Sequence, residues 1–206
     1  MTIPGNFYGV ALNDRAERDL LAPQFDSAPY GAPPSAPVVY MKPRASIARC
    51  GTMLRAGESV KASPTLALLF SRDAVRCGPA NAMACVGAIA LALDVTLPQA
   101  NYYRPAIGQA IRDGFLVLGD WMPASPVTEI ATDIDGQPGH SWQLDRLVRE
   151  PAQLIADLSA FMTLRAGDAL LIGLPGDAPS VRAGQSITVR SAGLPPLHAA
   201  FEEARS

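Results

Sequence analysis

The chain is short of the residue types from which many active sites are assembled. It has two histidines and three cysteines in 206 residues. His140 follows a turn and His198 lies in the C-terminal tail, so each reads as a surface or packing residue. No cysteine stands near either in sequence, which leaves little basis for a Cys–His nucleophile. Cys50, Cys77 and Cys85 lack the close spacing of metal ligands. Reduced, buried or half-buried thiols are expected ahead of a three-thiolate zinc site.

An excess of either charge is also missing. Seventeen Lys and Arg against nineteen Asp and Glu give a net charge of −2 and a pI near 5.7. That balance offers no electrostatic case for nucleic acid or an anionic membrane. The longest apolar run, Met83 to Leu93, is too short to span a bilayer. The opening MTIPGNFYGVAL has no basic segment followed by an apolar one, so a cytoplasmic protein is expected rather than a secreted one. Walker loops, a G-x-G-x-x-G after a strand, G-x-S-x-G and H-E-x-x-H are all absent.

Proline and glycine are plentiful, at 19 and 17, and 49% of the residues are hydrophobic. Such a chain can bury a core but is punctuated by turns, which favours short strands over long helices. One domain over residues 1–206 is expected. Strands are read at Asn6–Leu12, Val38–Pro43 and Thr65–Phe70. The segment from Gly78 reads as a short helix feeding a buried strand that ends at Asp94. A charged helical piece follows the first strand, with Leu20 and Leu21 as its apolar contact. A proline-rich connector occupies Ser27–Pro37.

Asp135-Gly136 marks a hairpin turn between alternating arms, which is a better account of DIDG (residues 133–136) than a calcium loop. Glu150–Leu164 is the clearest helix, with Leu154, Ile155, Leu158 and Phe161 at helical spacing. Turn-plus-strand units follow at Arg165–Pro175 and Arg182–Gly193. The fold class is α+β, dominated by strands.

Asp94 to Trp121 concentrates acids, two adjacent tyrosines and two arginines in an apolar setting, as a small-molecule site requires. Tyr102, Tyr103 and Arg104 before Pro105 could supply a flat wall, hydroxyl donors and a bidentate carboxylate clamp. They could equally be an aromatic packing cluster, with Arg104 paired to an acid such as Asp113. Lys42 before Pro43 is either a binding cation or an exposed strand-end lysine.

In combination these segments resemble the fumarylacetoacetate hydrolase superfamily. VYMKPRASI (39–47) resembles its strand-to-Lys-Pro motif. GAIALALDVTLP (87–98) resembles the strand whose Asp holds a divalent metal. NYYRPAIGQAIRDGF (101–115) resembles the substrate-contact segment, and AFMTLRAGDALLIGLPGD (160–177) the C-terminal signature. The resemblance implies a mixed β-roll with few helices, and substrate-binding roles for Lys42, Tyr103 and Arg104.

In the family, Mg²⁺ or Mn²⁺ is held by a Glu-x-Glu pair and an Asp. The pair falls here on Ser63 and Thr65 of SPTLALLF (63–70), so Asp94 would be the only anionic ligand, and no tightly bound ion is expected. The family's lysine before the DGF unit falls on Ala110, its GTP threonine on Leu174, and its lid histidine has no counterpart. Catalytic residues are therefore unassigned.

Within the superfamily, YGVALNDRAERD, APYGAPPSAPVVYMKP and YYRPAI resemble the N-terminal half of the isomerase/decarboxylases of 4-hydroxyphenylacetate (homoprotocatechuate) degradation. That likeness implies a small dicarboxylic or tricarboxylic acid, and a companion half working with a homologous, metal-bearing catalytic subunit or as a homodimer. A metal-independent isomerase or tautomerase, and a repurposed small-acid hydrolase or binding module, are the alternatives.

Overall fold

The computed structural model describes residues 5–56, 59–98 and 107–203. In chain order the strands are β1 (Phe7–Ala11), β2 (Val38–Lys42), β3 (Ile47–Arg49), β4 (Met53–Ala56), β5 (Val60–Phe70), β6 (Val86–Thr96) and β7 (Leu116–Leu118). They continue with β8 (Met122–Pro123), β9 (Glu129–Ile134), β10 (Gln137–Gln143), β11 (Ala169–Leu171), β12 (Ser180–Val181), β13 (Ser186–Arg190) and β14 (Leu197–Glu203). The α-helices are α1 (Arg15–Phe25), α2 (Pro79–Ala82), α3 (Ile107–Ala110) and α4 (Pro151–Ser159). No helix of the described residues is long and apolar enough to cross a membrane.

Among these residues the strands form two sheets. The larger runs β2-β1-β11-β5-β6-β7-β3, with β12 added to β5 and β8 to β6. The smaller runs β10-β9-β13-β14-β4. Pairing is mixed: β1/β11, β3/β7 and β14/β4 are parallel, and the remaining pairs are antiparallel. This is the strand-rich α+β architecture expected from the sequence.

At the centre lies the long antiparallel pair β5/β6, in register from Lys61↔Thr96 to Leu69↔Ala88. Both strands are buried on both faces, which is why they read as unbroken apolar runs rather than alternating ones. Leu66, Leu68, Leu91 and Leu93 join Phe70, Phe115, Trp142 and Phe201 in one core. Each large side chain so buried contributes on the order of 1.5–3 kcal/mol.

Several sequence expectations shift. β5 starts at Val60, not Thr65, and β6 continues past Asp94 to Thr96, because the two strands extend each other's pairing. The C-terminal tail holding His198 is strand β14, which pairs with β13 and β4. The last helix ends at Ser159, and Phe161, expected on its apolar face, is 69% exposed. Leu20 is also exposed; Leu21 alone of that pair packs, against the small cluster of Ala11, Leu12 and Phe25. The Asp135-Gly136 hairpin stands as read, with both residues at positive φ.

Candidate active site

One end of the β5/β6 pair opens into a cavity of about 460 Å³ beside β2. The register places Ser63 directly opposite Asp94, and Lys61 opposite Thr96. Directly paired residues of an antiparallel ladder point to the same face, so all four line the cavity. From β2, at the edge of the same sheet, come Tyr40 and Lys42, two residues apart and therefore also on one face.

Asp94 is 1% exposed and is engaged at both oxygens. Its Oδ2 accepts a 2.7 Å hydrogen bond from the Tyr40 hydroxyl. Its Oδ1 lies 2.8 Å from the Lys42 ammonium, with both side chains 1% exposed. That second contact is Coulombic, since Oδ1 accepts no hydrogen bond of good geometry among the described residues. The ammonium instead donates to the carbonyls of Ala110 at 2.7 Å, Phe115 at 3.2 Å and Val95 at 3.4 Å. An ammonium has three protons, so Lys42 has none left over for a ligand. It is a buried cation that lines the cavity rather than an exposed strand-end lysine.

Room for Tyr40 is made by Gly9, its register partner on β1. A Cβ on Gly9 would lie 2.2 Å from Cζ of the Tyr40 ring. Glycine here is a close-approach requirement that lets the phenol lie across β1 and reach the carboxylate.

These donors do not fit a divalent ion. Mg²⁺ and Mn²⁺ favour several hard oxygen ligands with negative charge. The Ser63 and Thr65 side chains bring neutral hydroxyls, and the Thr65 hydroxyl is committed to the Gly173 carbonyl at 2.6 Å. An ammonium already stands against the one carboxylate and a phenol closes its other oxygen. Among the described residues no three His, Cys, Asp or Glu side chains gather as a metal group.

Leu174 and Ala110, the positions matched to the family's threonine and lysine, both line the cavity. Tyr103 and Arg104 lie outside the described residues. Three polar lining residues escaped the sequence reading, Tyr40, Lys61 and Thr96. Each stands two positions from a residue that was singled out, on the same strand, so strand alternation was the signal that could have found them.

A second buried charge cluster lies beyond the β1–α1 turn. Leu12 adopts φ 58°, and its N–H donates to the Glu17 carboxylate at 2.7 Å. Asp14 then caps α1 and also accepts from Trp142 Nε1, from Arg146 Nε and Nη2, and from the Gly176 N–H. Arg146 spans to Asp177, which also meets His140 Nε2 at 3.1 Å. The hydrogen bonds from Arg146 hold the Asp177 carboxyl well below the usual carboxylate range, with His140 adding to the effect, and Asp177 in turn raises the guanidinium.

Known proteins supply the context for this site. Residues 6–202 match the family profile described as fumarylacetoacetate (FAA) hydrolase C-terminal. The chain is 37% identical over 197 residues to the 4-hydroxyphenylacetate degradation bifunctional isomerase/decarboxylase of Escherichia coli, covering 94% of this chain and 46% of that protein. The protein of the same description from Salmonella dublin is 38% identical over the same shares. The chain thus spans about half the length of these curated relatives.

Among solved structures, fumarylpyruvate hydrolase from Pseudomonas aeruginosa, in complex with Mn²⁺ and pyruvate, matches with a TM-score of 0.80 at 21% identity, covering 97% of this chain and 90% of that one. The 2-hydroxyhepta-2,4-diene-1,7-dioate isomerase from Mycobacterium marinum matches at 0.76 and 19% identity, covering all of this chain and 77% of that one. At these identities the two structures speak for the fold alone. The matched profile and the curated relatives, each spanning nearly all of the described strands, show that the chain belongs to the fumarylacetoacetate hydrolase family.

Proposed function

We propose that this chain is the metal-free half of a 2-hydroxyhepta-2,4-diene-1,7-dioate isomerase/5-oxopent-3-ene-1,2,5-tricarboxylate decarboxylase of aromatic catabolism. In this reading it is one domain that assembles with a homologous, metal-bearing subunit where the chemistry takes place. The observation that carries it is the state of Asp94: one oxygen faces an ammonium, the other a phenol, and the positions that would complete a metal site offer only hydroxyls.

Decarboxylation of an unsaturated oxo-diacid and migration of its double bond both pass through an enolate. Such a charge is stabilised by a Lewis acid or by preorganised donors aimed at it. In this chain Lys42 is committed to Asp94 and to backbone carbonyls, which removes it as a donor to an enolate. Relatives about twice as long as the chain support a second half at the level of the whole protein. A substrate wall built from Tyr103 and Arg104 belongs to the same proposal.

Co-expression with a paralogue that carries the Glu-x-Glu and Asp set tests this reading. The expected result is a stable heteromer by light scattering, with turnover of the diene diacid that EDTA abolishes and that Asp94→Asn in this chain leaves intact. The purified chain alone should be inactive. Turnover by the lone chain that survives EDTA would overturn the companion reading and establish a metal-independent isomerase instead.

A further inference from the structure

At the end away from the cavity, residues 71–85 join β5 to β6. Pro79 opens the short α2 after Gly78, and a 3-10 turn over Met83–Cys85 leads the chain into β6. This path brings Cys77 and Cys85 together, with their Sγ atoms 3.9 Å apart. No strong hydrogen bond holds either thiol. Cys77 Sγ lies 3.8 Å from the Val75 carbonyl, and Cys85 Sγ 3.8 Å from that of Asp73.

The backbone around the pair is tied on one side to α4 and the turn that follows it. Ala74 and Leu164 exchange hydrogen bonds at 2.8 and 3.2 Å, and the Arg76 N–H donates to the Ser159 carbonyl at 2.8 Å. The Cys77 N–H donates to the Ser159 hydroxyl, and the Ala166 N–H to the Asp73 carboxylate. Two thiols held so close meet far more often than free thiols in solution would. The remaining approach, to the ~2.05 Å of a disulfide, falls on a segment with room. A Cβ on Gly78, between the two cysteines in sequence, would meet nothing within 4 Å.

The two thiols are not equivalent. Cys77 is half-buried and can be reached from solvent, whereas Cys85 is 5% exposed. Burial pushes the Cys85 thiol up, and Cys77 adds to the effect against the opposing pull of Arg72. Paired thiols reached from one side are the form that redox-responsive cysteines take in a reducing compartment.

We propose that Cys77 and Cys85 are a reversible redox site whose oxidant is a low-molecular-weight disulfide of the glutathione class. Cys77 loses its proton to solvent and attacks one sulfur of the reagent. The reagent's S–S bond breaks, a mixed disulfide forms on Cys77, and the expelled thiolate takes up a proton. Cys85, deprotonated in turn, attacks Cys77 Sγ and expels the second reagent thiol. Two protein thiols are thereby oxidised to one disulfide, and one reagent disulfide is reduced to two thiols. Capping Cys77 removes its negative charge from beside Cys85, which eases the second ionisation. The new bond braces the β5–β6 connection and the exposed Val75 and Met83 that it carries. The site depends neither on Asp94 nor on a companion subunit, so it and the proposed function fail separately.

Incubation of the intact chain with oxidised glutathione, then alkylation and peptide mapping without reduction, tests the proposal. The expected product is a Cys77–Cys85 disulfide that dithiothreitol reverses. Cys50, exposed and distant in sequence from both, is the internal control and should enter no intramolecular bond. Cys85→Ser should stop at the mixed disulfide on Cys77, and Cys77→Ser should leave Cys85 about tenfold slower to react than Cys77 in the parent. Amide exchange over residues 71–85 should slow about threefold or more on oxidation. A parent chain that ends as mixed disulfides, a Cys77–Cys85 bond that forms only in urea, a Cys85 that reacts as fast as Cys77, or unchanged exchange would each overturn the proposal. The parent's product is read without any variant, so the outcome does not depend on a substituted chain folding.

Discussion

Two buried carboxylates, Asp14 and Asp94, show how differently one family scaffold can use the same group. Both are 0–1% exposed and both pair with a cation. Asp14 is saturated: guanidinium, indole and two backbone N–H donors converge on its oxygens from α1, β10, the turn at Leu144–Arg146 and the loop at Gly176. Asp94 has one hydrogen bond and one Coulombic contact, and it faces a cavity. The first carboxylate ties separate elements together. The second sits where a ligand could reach, with its charge already neutralised by the protein.

This contrast can be broken most forcefully at Asp14. Asp14→Ala leaves the Arg146, Trp142 and Gly176 donors without their acceptor, and should lower unfolding stability by about 3–5 kcal/mol in a urea titration. Loss of less than ~1 kcal/mol would mean that the cluster is not what joins α1 to the loop around Gly176. Gly176 adds to the tie, because a Cβ there would lie 2.5 Å from the Glu17 backbone.

Next in size is the cavity pair. Lys42→Met leaves Asp94 as an unpaired buried charge and should cost about 3 kcal/mol. Adding Asp94→Leu should recover part of that loss, because an apolar pair removes the uncompensated charge while the carbonyls of Ala110 and Phe115 still lack a donor. Double-mutant-cycle analysis should give a coupling of about 1–3 kcal/mol. Strict additivity would show that the 2.8 Å contact contributes nothing.

Gly9→Ala is a finer probe of the same region. The new methyl would displace the Tyr40 ring and part it from Asp94 Oδ2, at about 1–3 kcal/mol for overpacking. In a Tyr40→Ala background, already weakened by loss of the donor to Asp94, Gly9→Ala should add little further loss, because the ring it would strike is gone, as read by thermal melting. A Gly9→Ala chain as stable as the parent would place the ring elsewhere.

The smallest effect is on acid stability. Asp177 has its folded value lowered by Arg146 and His140. A depressed carboxyl stabilises the fold above its unfolded value near ~4, and that contribution disappears as pH falls toward the folded value. Because the Asp177 side chain is 53% exposed, solvent screening should hold the contribution below about 1 kcal/mol. Asp177→Asn should therefore narrow the stability difference between pH 6 and pH 3 slightly, as read by urea titration at the two pH values.

Much of the scaffold could be read before the fold was known, for identifiable reasons. β5 and β6 are buried on both faces, so Leu66–Phe70 and Val86–Leu93 appear as continuous apolar runs, and Asp135-Gly136 is a turn pair with a specific backbone requirement. Leu20 and Phe161 were misjudged because helical periodicity shows which residues could share a face, not whether a neighbour covers it. β14 was missed because LHAAFEE has weak strand propensity by itself; it becomes a strand between β13 and β4.

The candidate site divides along the same line. Sequence alone determined that Asp94 stands without carboxylate companions at positions 63 and 65, since that is a matter of residue identity. It also determined the order of the family's segments, and with it the fold. Only the tertiary structure decided what Asp94 does instead. The reach of Lys42 to carbonyls of Val95, Ala110 and Phe115, the passage of Tyr40 over Gly9, and the meeting of Lys42 with Asp94 in one cavity depend on pairings between strands far apart in the chain. Local sequence has no term for such pairings, because a side chain's electrostatic role is set by what the fold brings within a few ångströms of it.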